Sequence, residues 1–187
     1  MKRLLPLACL VALLLSACAG RVEDTGDDGY VSLGRGITVV APQDRKPAPQ
    51  LSGTDLDGNP VDSTDFAGEV IVVNLWGSWC PPCRKEAPAL QQVAAETKDQ
   101  NVRFLGLLTQ DNPASAKAFN AKIGITYPSI DDSDGRNQAA FADSLPSTAI
   151  PTTWIIDANG KVAARVIDTV TAATLGDLID QVKKSTP

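Results

Sequence analysis

Two cysteines at the opening of a helix constrain this chain more than any other feature. They stand in Trp79-Cys80-Pro81-Pro82-Cys83. The apolar run Val70-Ile71-Val72-Val73-Asn74-Leu75-Trp76 leads into them and reads as a buried strand. Behind them, Arg84-Lys85-Glu86-Ala87-Pro88-Ala89-Leu90 has a helical pattern. Proline is tolerated in a first helical turn, where its missing N–H is no loss, so Pro81 and Pro82 mark a helix start. Cys80 therefore sits at the helix mouth. Unpaired N–H groups and the positive end of the helix dipole favour thiolate over thiol there, and lower the pKa expected of its sulfur. Cys83, one turn further in, is placed to attack a mixed disulfide formed at Cys80. An acidic attacking sulfur beside a resolving one is what thiol–disulfide exchange requires.

Other uses of such a pair fit less well. Half of a zinc site needs further ligands, and the chain has no His and only two other thiols, Cys9 and Cys18, both near its start. A haem attachment site needs His after the second Cys, where Arg84 stands. A structural bridge closing so short a loop removes little entropy from the unfolded chain. The lack of His also excludes Ser-His and Cys-His catalysis. The formal charge is −5 and there is no basic tract, which argues against nucleic-acid binding. No Walker loop, dinucleotide glycine fingerprint or internal repeat is present.

The start of the chain reads as an export signal over residues 1–17. Lys2 and Arg3 precede an apolar core, Leu4 to Leu15, too short to span a bilayer. Leu15-Ser16-Ala17-Cys18 resembles the lipobox of bacterial lipoproteins, which implies cleavage before Cys18 and acylation of that residue. Two or more acyl chains give stable anchoring where one does not. Ala17-Cys18-Ala19 also suits an ordinary secretory cleavage after Ala19. Residues 18–49 then form a lipidated, flexible tether rich in Gly, Asp and Pro, with an edge strand over Val31–Val40 as an option. Glu23-Asp24 and Asp27-Asp28 read as solvated spacer.

Residues 50–187 carry the regular pattern of a domain. Asp57-Gly58-Asn59, flanked by Leu56 and Val61, signals a hairpin. Strand Val70–Trp76 is followed by the dithiol helix to about Lys98, with Pro88 expected to kink it. Val102–Leu108 is a second buried strand. Ala114–Ile123 is a helix with Pro113 at its first position and Asn112 or Asp111 as cap. Tyr127–Ile130 is a short strand or loop, and Asp131-Asp132-Ser133-Asp134-Gly135 is a turn rather than a calcium loop, since the closing Glu is missing. Thr152–Ile156 and Lys161–Ile167 are strands joined by Asp157-Ala158-Asn159-Gly160. Thr171–Lys184 closes the chain as an amphipathic helix with Leu175, Leu178, Ile179 and Val182 on one face. This order predicts an α/β fold: a central mixed β-sheet with helices on both faces and an N-terminal β-hairpin extension.

The order strand, Trp-Cys-x-x-Cys, helix, then proline before a strand hairpin resembles thioredoxin. The finer match is to the TlpA/ResA-like (DsbE/CcmG-type) group of exported, membrane-tethered thiol–disulfide oxidoreductases. It is carried by Leu56-Asp57-Gly58, Phe66-Ala67-Gly68, Val73 through Pro88, and Ile150-Pro151-Thr152-Thr153-Trp154-Ile155-Ile156-Asp157. The resemblance implies a thioredoxin fold working through a Cys80–Cys83 redox pair, with no other cofactor and no metal. It implies a cis-proline at Pro151 facing the dithiol, with the Ile150 backbone pairing an extended substrate and Trp79 serving packing and recognition. Asn74 stands where cytoplasmic thioredoxins have a buried, proton-relaying Asp, and an amide cannot titrate. Glu86 matches an acid near the dithiol in ResA-like proteins and is placed to take the Cys83 proton, although a Glu early in a helix also stabilises through the dipole.

The function implied is that of a membrane-tethered extracytoplasmic thiol–disulfide oxidoreductase that reduces disulfides of exported proteins, apocytochrome c among them, and is re-reduced by a membrane electron-transfer partner. The same dithiol run in the oxidising direction would form disulfides. A thiol peroxidase is a further alternative, but Gly77 and Ser78 before Cys80 do not supply the Pro-x-x-x-Thr/Ser-x-x-Cys pattern of that related fold.

Overall fold

The computed structural model describes residues 30–32, 34 and 36–186. The leader over 1–17 and the lipid attachment at Cys18 lie outside these residues. In chain order the strands and helices are β1 (Tyr30–Ser32), β2 (Ile37–Val40), β3 (Ser52–Thr54), β4 (Pro60–Asp62), β5 (Val70–Trp76), α1 (Pro81–Thr97), β6 (Val102–Leu108), α2 (Pro113–Ile123), β7 (Ser129–Asp131), α3 (Arg136–Ala139), β8 (Thr152–Ile156), β9 (Val162–Ile167) and α4 (Ala172–Ser185). Short 3₁₀ turns lie at Pro42–Asp44, Ser63–Phe66 and Ala140–Asp143.

Local chemistry explains most of these bounds. Asn112 caps α2 by accepting the N–H groups of Ala114 and Ser115, with Pro113 at the first position. Gly124, at φ 80°, ends that helix in the left-handed conformation. Thr171 caps α4 through the Thr174 N–H. α1 continues unbroken through Pro88.

Seven strands form one mixed sheet in the order β1-β2-β9-β8-β5-β6-β7. β5 pairs in parallel with β6, and β6 with β7; β5–β8, β8–β9, β9–β2 and β2–β1 are antiparallel. β3 and β4 form a separate hairpin, as Asp57-Gly58-Asn59 predicts.

Every residue of β5 is buried, so its two faces meet different partners. Val70 and Val72 join Phe104, Ile155 and Val166 beneath Leu90 and Val93 of α1 and Leu175, Leu178, Ile179 and Val182 of α4. Toward the end of β5, Trp76 and Leu108 pack with Ala116 and Phe119 of α2. Ile71, Val73 and Leu75 point to the opposite face, where Leu51, Phe141, Leu145 and Trp154 cover them. Trp154 stacks on Phe141 at 4.2 Å between ring centroids.

Two regions differ from the sequence reading. Ahead of Gln50, β2 pairs with β9 and buries Thr38 and Val40, Pro47 bridges to Lys161, and Arg45 is buried. The optional edge strand over Val31–Val40 is met by β1 and β2, but the partners that draw β2, Arg45 and Pro47 into the fold, on β9 and the β8–β9 turn, lie more than a hundred residues away, beyond a local scan. The second is α3 with its 3₁₀ extension, too short for a helical period. It forms because Asp132, fully buried, accepts the N–H groups of Asn137 and Gln138 together with the Asn137 amide.

Candidate active site

The strand–loop–helix unit places the two sulfurs. Cys80 occupies the N-cap of α1, and its Sγ accepts the Cys83 N–H at 3.2 Å. This is the hydrogen-bonding position that favours a thiolate when the pair is reduced. Cys80 and Cys83 are joined as a disulfide with Cα atoms 5.3 Å apart, and both residues are buried.

The loop ahead of Cys80 is held on both sides. The Ser78 N–H donates to the Asp111 carboxylate, and Arg84 Nη1 donates to the Ser78 carbonyl while its guanidinium lies 5.5 Å from the Phe119 ring. By sequence, Asp111 stands beside Asn112 as a candidate helix cap. Asn112 takes that role, which leaves Asp111 for a loop 33 positions upstream that no local signal connects to it. Trp79 is half exposed and lies over Gly77, where a Cβ would come within 2.6 Å of the indole nitrogen. Only glycine lets the ring settle there. Trp76, by contrast, is core, with its N–H directed to Ser129 Oγ.

The loop before β8 reaches the same cluster as the dithiol. The Ile150–Pro151 bond is cis, and Ile150 packs against the cluster that contains Cys80 and Cys83. The Pro151 carbonyl accepts the N–H of Asp168, a residue held at φ 78°.

Glu86 lies one turn of α1 beyond Cys83 and is buried, with 2% of its surface exposed. Its Oε1 accepts the Asn74 amide at 2.9 Å and its Oε2 accepts the Val170 N–H at 3.1 Å. Burial pushes its pKa from 4.5 up to about 7; the two hydrogen bonds pull it down, and the nearby Asp168 charge adds to the rise. Asp168 and Val170 belong to the β9–α4 loop, which carries no motif in the sequence. Among the described residues, no group of three or more His, Cys, Asp or Glu is arranged to hold a metal ion.

The profile of the AhpC/TSA family matches residues 45–165, well over half of the chain. This chain belongs to the AhpC/TSA family. The match starts at Arg45, ahead of the domain boundary read from composition. A thiol-disulfide oxidoreductase ResA of Bacillus cereus is 28% identical over 175 residues, covering 94% of each chain. The ResA of Bacillus subtilis is 27% identical over 136 residues, covering 73% of this chain and 74% of its own. Among solved structures, a secreted thiol-disulfide isomerase from Corynebacterium glutamicum superposes with a TM-score of 0.73 at 28% identity, over 83% of this chain and 98% of that one. A thioredoxin-family thiol:disulfide interchange protein from Chlorobium tepidum gives 0.69 at 29% identity, over 74% and 96%. The fold is the thioredoxin fold, and the chain is an enzyme of the thiol–disulfide oxidoreductase class.

Proposed function

We propose that this AhpC/TSA-family member is a membrane-tethered, extracytoplasmic reductase of disulfides in exported proteins, with apocytochrome c thiols among its clients. The observation that supports this reading is the pair itself: Cys80 at the mouth of α1, bonded to Cys83, with a buried carboxyl one turn below.

In the reductive direction the Cys80 thiolate attacks one sulfur of the client disulfide. A Cys80–client bond forms, the client bond breaks, and the leaving client sulfur departs as thiolate. The Cys83 thiol gives its proton to Glu86, whose pKa near neutrality suits transfer in either direction. The Cys83 thiolate then attacks Cys80, expelling the second client sulfur. Two electrons have passed to the client, and the enzyme is left with the Cys80–Cys83 disulfide. A membrane dithiol donor reverses this oxidation by the same exchange. Trp79, Ile150 and Pro151 line the approach, and the Ile150 backbone pairs with the extended client.

Tethering follows from the lipobox resemblance at Cys18. No helix among the described residues is long and apolar enough to cross a membrane.

The test is reduction of insulin or of a heterodisulfide peptide carrying a Cys-x-x-Cys-His segment. Wild type is expected to reduce both, Cys80→Ser neither, and Cys83→Ser to stop at a trapped mixed disulfide. Equilibration of the Cys80–Cys83 couple against glutathione fixes the direction, since about 30 mV corresponds to about 1.4 kcal/mol for two electrons. A strongly oxidising couple would assign disulfide formation instead. Rapid peroxide consumption with a thiol donor would assign a peroxidase.

A further inference from the structure

Asn74 is a polar side chain in the middle of an otherwise apolar strand, and it is buried. An amide in such a place is unfavourable unless its hydrogens find partners. Its Nδ2 lies 2.9 Å from Glu86 Oε1 and 3.1 Å from Thr153 Oγ1. Asn74 and Thr153 are cross-strand partners in the β5–β8 register, and Thr153 follows Pro151 by two positions. One NH₂ group therefore spans from the strand that continues the cis-proline loop to the carboxyl under the dithiol. The other carboxyl oxygen accepts the Val170 N–H, so donors from β5 and from the β9–α4 loop hold the group on two sides.

We propose that Asn74 is a positioning residue for the exchange reaction: its amide hydrogens orient the Glu86 carboxyl group against β8 and hold it in the form that accepts the Cys83 proton. This rests on the reading of Glu86 as that acceptor. An amide serves here because it donates at every pH. An ionised aspartate in its place accepts only, and two carboxylates at this separation would share one proton. The titratable groups near Glu86 are Asp168 on the β9–α4 loop and the partly buried Tyr127, whose phenol pKa is raised by burial and by the Glu86 charge, with Cys83 one turn away on its own helix once the pair is reduced. None of these donates to the carboxyl oxygens; Asn74 and Val170 do.

The experiment measures, against pH, the rate at which Cys83 resolves a preformed mixed disulfide at Cys80. Asn74→Leu keeps the bulk and removes the donor. Its profile is expected to shift upward by about one pH unit, a tenfold change in proton affinity. In a Glu86→Gln background the same substitution is expected to add no shift, because the group it acts through no longer titrates. A wild-type profile for Asn74→Leu overturns the proposal, as does a shift that persists in Glu86→Gln. Should Asn74→Leu not fold, the nearly isosteric Asn74→Asp decides: two coupled carboxyl titrations by NMR support the proposal, and an unchanged Glu86 titration overturns it. A Glu86→Gln profile identical to wild type removes the acceptor reading itself. A shifted Glu86→Gln beside an unshifted Asn74→Leu removes only the role of Asn74.

Discussion

Glu86 is where burial and chemistry pull in different directions. With its carboxyl moved from 4.5 to about 7, the folded chain binds this proton more tightly than the unfolded one. Below pH 4.5 both states hold the proton and the group contributes no pH dependence. Between 4.5 and about 7 the unfolded state releases it and the folded state keeps it, so stability falls as pH rises. The fall approaches about 3 kcal/mol by neutrality, or roughly 10 °C in Tm for a domain of this size. Thermal melts of the oxidised protein across that window should show this decline in wild type and its near absence in Glu86→Gln. Equal slopes would mean that the carboxyl is not desolvated as described. At this scale Cys80 and Cys83 were legible from spacing alone. The Glu86 position came from the family resemblance and its three-residue spacing from Cys83, but its donors were not legible, because Asn74 lies on β5 and Val170 on the β9–α4 loop.

Among the elements, the least expected is the segment before the hairpin. Arg45 is buried, and its guanidinium bonds to Asp157 at 2.9 Å, Ser185 Oγ at 2.6 Å and Thr186 Oγ1 at 3.2 Å, while its Nε donates to the Val40 carbonyl. One side chain thus clasps the end of β2, the β8–β9 turn and the C-terminus of α4. Asp157 also accepts the N–H groups of Asn159 and Lys161, which shapes that turn. Breaking a buried pair by removing one partner leaves an uncompensated charge and costs about 3–5 kcal/mol. Arg45→Met should lower the urea midpoint accordingly. It should leave thiol exchange near wild type under native conditions, because Asp157 follows Ile156, the partner of Ile71 near the start of β5, whereas Cys80 follows the far end of that strand. Loss of exchange without loss of stability would contradict this division.

Over the whole molecule, position matters as much as chemistry. On the proposed lipid anchor at Cys18, a dithiol enzyme would meet only clients on its own side of the membrane. Growth on labelled palmitate should mark wild type and leave Cys18→Ala unmarked, with the variant moving to the soluble fraction; equal labelling would remove the anchor. The strands Val70–Trp76 and Val102–Leu108 have the bounds their apolar runs announce, and the caps at Asn112 and Thr171 fall where short polar side chains meet helical patterns. These are contiguous signals, each complete within a few residues.

The sequence alone determined the cysteine pair, the helix that opens on it and the α/β class, because each depends on neighbours along the chain. Only the tertiary structure decided that β2 pairs with β9 and that Arg45 is buried, that Asp111 holds the dithiol loop, and that an amide and a backbone N–H hold the Glu86 carboxyl. Those contacts join residues 12 to more than 100 positions apart. A hydrogen bond between distant residues leaves no period in either of their neighbourhoods, and it exists only once the sheet has brought them together.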